Sequence, residues 1–239
     1  MSLTSFTRAV PSTHHDYCAN AQLTKRLALD FIHELKHVID VDGRAFGFPK
    51  QMRKGRTLLV GEGDLSFSLS LIRSRTIDAK SLVATTLQPA ARLPRAGVKN
   101  ASQLRTAGTR VQHNVDARKL NESFSKNLFQ TVIFNFPNVG SRQPNYGRNP
   151  NHDLVRAFLQ SSNDVLTTGA RVLITSVDSP HYRGVFQFPL AAEKTRFEIE
   201  RIHRFYPTAF RGYTHINTND EESAVSEHAK FCTWVFKQK

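Results

Sequence analysis

A short apolar run, Thr57-Leu58-Leu59-Val60, breaks into Gly61-Glu62-Gly63-Asp64 and resumes with helical spacing from Leu65 to Leu71. The pattern reads as a strand, a tight glycine turn and a helix start. Gly61 and Gly63 permit backbone conformations and close ligand approach that a β-carbon would block, and the first N–H groups of the following helix are unpaired donors. A turn of this kind binds nucleotide-like cofactors. The dinucleotide fingerprint needs a third glycine at position 66, where the chain has Ser66, so a pyrophosphate site is disfavoured. An acidic residue between the glycines suits S-adenosylmethionine (SAM), which offers a carboxylate, an amino group and a ribose instead of phosphates. The competing reading is an ordinary turn without a ligand.

In a sheet built this way, ligands bind beyond the carboxyl ends of the strands. Gly61, Gly63, Gln88, Asp116 and Asn135 all fall at such ends. The backbone of Gly61-Glu62-Gly63 would approach the methionine part of SAM. Asp64 and Ser66 stand at the helix start, where they either bind the cofactor or cap the helix. Gln88 can hydrogen-bond ribose hydroxyls, more weakly than a carboxylate would. Asp116 either accepts from an adenine amine or caps the turn after it. Asn135-Phe136-Pro137-Asn138 resembles the Asn-Pro-Pro-aromatic turn that nitrogen methyltransferases place beside SAM. An Asn side chain there accepts from a target N–H and aligns its lone pair with the methyl, while an aromatic face stacks on the acceptor.

These positions require alternating elements. Strands are expected near 57–61, 82–87, 109–113, 131–136, 170–177, 196–205 and 229–237, with helices near 65–74, 97–107, 151–167 and 184–194. Alternation of this kind predicts an α/β doubly wound Rossmann-like sheet of the class I methyltransferase type, ending in an antiparallel hairpin. Before it, residues 1–54 read as an N-terminal polar arm and an amphipathic helix (Leu23, Leu27, Phe31, Leu35, Val38) packed on the 55–239 domain, with a loop through Asp42-Gly43 and Gly47-Phe48-Pro49. His33-Glu34-Leu35-Lys36-His37 matches the zinc-protease pattern, but Asp40 and Gly43 stand where the metzincin continuation needs Gly and His. No metal is expected.

The chain has 239 residues, 33 Lys and Arg against 20 Asp and Glu, and a net charge of +13, which attracts polyanions. RNA is the first partner to expect. Residues 55–120 hold 11 Lys and Arg against 4 Asp and Glu, with Arg92, Arg95, Lys99, Arg105 and Arg110 forming a candidate phosphate-binding flank. Tyr146, Arg148, Phe205, Tyr206, Phe210 and Tyr213 are candidate base-stacking or plain packing residues. Two distant cysteines, no signal-type segment and no membrane-length apolar run lead us to expect a cytoplasmic protein that engages no membrane.

Several motifs in order resemble the ribosomal RNA (uridine-N3)-methyltransferase-like family: Val60 to Ser68, Thr85-Thr86, Asn100 with Leu104, Val115-Asp116-Ala117, and Ile133 to Gly140. The resemblance spans about residues 56–237 and implies a SAM-dependent enzyme that methylates a pyrimidine in ribosomal RNA. Gln88, Gln130 and Asn138 depart from the family's usual acidic, Asp and His residues. Uridine N3 must lose a proton, and Asp178, His181 and Tyr182 after the fifth strand are candidate bases, His181 foremost. Two other functions remain open: methylation of a small nitrogenous metabolite, and RNA binding without catalysis. A metabolite enzyme should have a closed pocket, whereas an RNA enzyme needs an open rim continuous with the basic flank.

Overall fold

Strands buried on both faces read as unbroken apolar runs, and Thr57-Leu58-Leu59-Val60 and Leu82-Val83-Ala84-Thr85 are fully buried throughout. The computed structural model describes residues 21–29, 31–32, 41–140, 149–215 and 230–239. Its strands are β1 (Val41–Ala45), β2 (Thr57–Val60), β3 (Leu82–Thr85), β4 (Arg110–Gln112), β5 (Phe129–Asn135), β6 (Leu166–Val177), β7 (Phe197–Phe205) and β8 (Phe231–Gln238). They form one sheet in the order β1-β7-β8-β6-β5-β2-β3-β4. Neighbours are parallel except where β8 inserts antiparallel between β6 and β7. The strand order reverses between β2 and β5, so a crevice opens beyond Val60 and Asn135.

The two-residue period of the strands sorts their side chains into two cores. Leu58, Val60, Val132, Phe134, Val172 and Ile174 face one side, where Leu154, Val155, Phe158 and Leu159 of the helix Pro150–Val165 cover them. Leu59, Ile133 and Leu173 face the other, against Phe48 and Met52 of the helix Phe48–Met52 and Phe67 and Leu71 of the helix Ser66–Arg73. Each fully buried Leu contributes about 2 kcal/mol. The helix Pro150–Val165 begins with Asn149 accepting from the Asn151 N–H at 3.0 Å and with Pro150 in its first turn. The doubly wound sheet and its antiparallel β7–β8 pair agree with the expectation from sequence.

Two local expectations are corrected. The expected loop at 42–49 is instead edge strand β1, parallel to β7 with Val41 opposite Ile202, followed by the helix Phe48–Met52. Asp42-Gly43 looks like a turn, and only its sheet partner makes it a strand. The expected helix 184–194 is two helices, Pro180–Phe186 and Phe188–Glu193, divided where Gln187 turns left-handed (φ 47°) ahead of Pro189. Of the two readings open for Phe205 and Phe210, stacking on a base or plain packing, the fold shows packing. Their rings lie parallel 5.3 Å apart and pack with Phe48 and Phe67 in the core.

Val41–Lys239 form one compact unit and Met1–Asp40 another, in which residues 21–29 and 31–32 are helical. His33 to His37, Tyr146 and Arg148 lie outside the described residues. Among the described residues no helix is long and apolar enough to cross a membrane, and no cluster of metal-type side chains forms.

Candidate active site

The glycine turn follows directly from the end of β2. Gly61 has φ 68°, and a β-carbon there would lie 2.8 Å from Cε2 of Phe134 on β5. Glycine is therefore required both for conformation and for space. The chain then crosses to β3, the Glu62 N–H donating to the Thr85 carbonyl at 3.0 Å. Asp64 Oδ1 accepts from the Ser66 N–H at 3.0 Å, Glu62 Oε1 accepts from the Ser68 N–H at 2.9 Å, and the Ser68 hydroxyl donates to Glu62 Oε2. Two carboxylates thus already cap this helix start. They occupy its donors and repel phosphate, so the turn suits a ligand that carries positive charge.

The family-like residues nearby have structural work. Asn100 donates to the Asp64 carbonyl at 2.9 Å, and Gly97 lets its helix approach Asp64 closely, since an added β-carbon would meet Cα of Asp64 at 3.3 Å. The Thr86 hydroxyl donates to the Gln88 carbonyl at 2.7 Å and lies 2.8 Å from His113 Nδ1. Arg105, which cannot accept, lies 2.9 Å from Nε2. Nε2 therefore accepts and Nδ1 carries the hydrogen, a neutral tautomer consistent with burial lowering the His113 pKa.

Burial pushes the Glu62 carboxyl up to about 7, against the two lowering hydrogen bonds from Ser68 and with a smaller raising contribution from Asp64. Between about 4.5 and about 7 the folded chain holds a proton that the unfolded chain has released. This contribution to stability is full at low pH and is lost as pH rises through about 7. Glu62→Gln should gain in melting temperature relative to wild type as pH is raised from about 5 to about 8. A difference independent of pH would show that the carboxyl titrates in its ordinary range.

These elements surround a cavity of about 780 Å³, lined by Gly61, Glu62, Gly63, Asp64, Gln88, Asp116, Asn135 and Phe136 among others. Asp116 caps the turn after it and also lines the cavity. Its oxygens accept from the Arg118 N–H and from the guanidinium at 2.7 to 3.1 Å, which holds the carboxyl below its usual range. Asn135 ends β5, and both its Oδ1 and Nδ2 are buried with no hydrogen-bond partner. Phe136 follows with φ 51°, its N–H donating to the Thr175 carbonyl at 2.8 Å. A left-handed aromatic residue beside an orphaned amide is strain concentrated at one place in the fold.

Three expected site residues stand elsewhere. Ser66 is buried beneath the cavity wall, its hydroxyl donating to the Thr214 carbonyl and accepting from the Thr214 N–H, both at 3.0 Å. Pro137 is buried and does not line the cavity. His181 is exposed on the helix Pro180–Phe186 and does not line it either, while Asp178 is engaged with Arg183 and Arg204. Gln130 sits at the opposite end of β5, bonded to Thr167 at 2.7 Å, so its departure from the family's Asp does not touch the cavity. The sequence reading missed Thr214 and His215, which Ser66 brings to the cavity from 148 residues away and which no local pattern marks. The His215 ring lies 4.6 Å from that of Phe136.

Residues 58–217 match the family model described as "BMT5-like: rRNA (uridine-N3-)-methyltransferase BTM5-like". The chain belongs to this family. An Arabidopsis thaliana relative, "Uncharacterized protein At4g26485", is 33% identical over 132 residues, covering 50% of this chain and 62% of its own length. The Saccharomyces cerevisiae "25S rRNA (uridine(2634)-N(3))-methyltransferase" is 25% identical over 227 residues, covering 70% of this chain and 67% of its own. The chain thus spans less than two thirds of the length of the first of these relatives. Among solved structures, TrmN from Thermus thermophilus overlaps with a TM-score of 0.48 and 14% identity, over 80% of this chain and 48% of that one. The family's rRNA-methyltransferase description and the doubly wound sheet agree with the resemblance seen in the sequence.

Proposed function

We propose that the protein is a SAM-dependent N-methyltransferase of the uridine-N3 type acting on ribosomal RNA. The observation that carries this reading is the orphaned amide of Asn135 at the end of β5, in a cavity that the carboxylate-capped glycine turn at the end of the neighbouring β2 also lines. SAM, when bound, supplies a methyl group already activated on a positively charged sulfur. The residues present fit it. Gly61 and Gly63 offer close backbone approach, Asp64 and, above about pH 7, Glu62 offer negative charge, and Gln88 and Asp116 stand at the next two strand ends. On the acceptor side, the Asn135 amide can hold an imide by its carbonyls, since Nδ2 donates to a carbonyl beside the ring nitrogen and leaves that nitrogen facing the methyl. Holding the imide in place provides most of what transfer requires.

RNA is favoured over a small metabolite by the cavity's rim. Arg92 lines it, Arg95 and Lys99 are exposed on the helix Arg95–Thr106, and none of the three has an ion-pair partner among the described residues. Unpaired cations beside an active-site mouth are what a phosphate backbone engages. Arg92→Glu with Arg95→Glu should weaken RNA binding by at least about tenfold at moderate salt and flatten the salt dependence by about two counterions. SAM affinity measured by calorimetry should be unchanged. Undiminished RNA binding in this variant would favour a metabolite acceptor.

A further inference from the structure

A cofactor held at the glycine turn brings an amino-acid end that carries both a cationic amino group and an anionic carboxylate. The turn answers the first charge, because the Asp64 carboxylate stands there, joined by that of Glu62 above about pH 7. It answers the second poorly, since the Ser66 and Ser68 N–H groups at the helix start are already bonded to those two side chains. A ligand carboxylate there gains from a donor on another element. Tyr213 stands where such a donor is needed. It comes from the segment after β7 and lines the same cavity. Its ring packs edge-on against Phe67 in the first turn of the helix Ser66–Arg73, with centroids 5.2 Å apart and planes at 67°. The next residue, Thr214, is tied to Ser66 by two reciprocal hydrogen bonds, each at 3.0 Å, and the Tyr213 N–H donates to the Phe210 carbonyl at 3.0 Å. Contacts with two successive residues of one helix start thus fix the phenol beside the glycine turn.

The hydroxyl is suited to donate. Burial first, and then the charges of Glu62 and Asp64, raise its pKa above the ordinary phenol range, so it keeps its proton at physiological pH. A buried tyrosine hydroxyl usually has a partner, yet among the described residues this one makes no hydrogen bond. We infer that Tyr213 is a cofactor-binding residue whose hydroxyl donates to the carboxylate at the amino-acid end of SAM, an assignment that rests on the methyltransferase reading above. The amino group of the same end then lies toward Asp64. The phenol thereby favours ligands that carry the whole amino-acid end over ligands truncated at the carboxylate.

The test is calorimetric titration of the full chain, wild type and Tyr213→Phe, with SAM, S-adenosylhomocysteine and decarboxylated SAM. The last keeps the amino group and the sulfonium but lacks the carboxylate. Tyr213→Phe keeps the ring, and with it the contact on Phe67, and removes only the donor. It should weaken SAM and S-adenosylhomocysteine by about tenfold each and leave decarboxylated SAM within about twofold of its wild-type affinity. A role in packing alone would weaken all three ligands alike or none of them. A bond to the amino group would weaken SAM and decarboxylated SAM equally. Either pattern would overturn the assignment while leaving the methyltransferase reading intact, because the wild-type chain would still bind SAM. A wild-type chain that binds neither SAM nor S-adenosylhomocysteine would overturn both.

Discussion

Asn135→Ala is expected to lower the turnover number by about 100-fold and to leave SAM affinity within about threefold of wild type. The reason is the placement of the amide: Oδ1 and Nδ2 are buried, unpartnered and at the strand end that faces the acceptor. Such a group costs the folded chain about 1 to 3 kcal/mol, which a bound ligand can return. The same substitution should therefore hold the melting temperature steady or raise it, as expected of a residue kept for function at the expense of stability. Steady-state kinetics, calorimetry and thermal melts read the three quantities. Turnover near wild type would remove Asn135 from its positioning role, and a fall in melting temperature would indicate a structural partner instead.

Gly61→Val should abolish measurable SAM binding, a loss of at least about 100-fold, and should also lower the melting temperature. Two effects add. A branched residue at φ 68° costs about 1 to 2 kcal/mol in backbone strain, and its β-carbon would sit 2.8 Å from the Phe134 ring, so the turn or the cavity wall must move. Near-UV circular dichroism of the native type together with lost binding is the expected pair. Full SAM affinity in this variant would show that the cofactor site is elsewhere.

Strand ends were legible in the sequence because buried parallel strands are apolar runs and glycine turns interrupt them sharply. Gly61, Gly63, Gln88, Asp116 and Asn135 therefore came out around one cavity. Edge strand β1 was not legible, since its Asp42-Gly43 pair has no strand character until β7 stands beside it. Nor was the fate of Ser66 or of the aromatic residues after β7. The spacing of a helix start is the same whether its serine touches a ligand or a distant loop, and Phe205 and Phe210 show no difference in type from an exposed stacking pair. His181 follows β6 where a base was expected, but it is exposed on its helix, while His215 arrived through a contact that only the folded chain contains.

The most direct test is to incubate the protein with methyl-labelled SAM and an unmodified ribosomal RNA transcript of its own organism, digest the RNA to nucleosides and separate them. Label recovered as N3-methyluridine, and lost in Asn135→Ala, is the result expected of a uridine-N3 methyltransferase whose acceptor site ends β5. Label confined to small molecules, or found in a nucleoside other than uridine, would contradict that account.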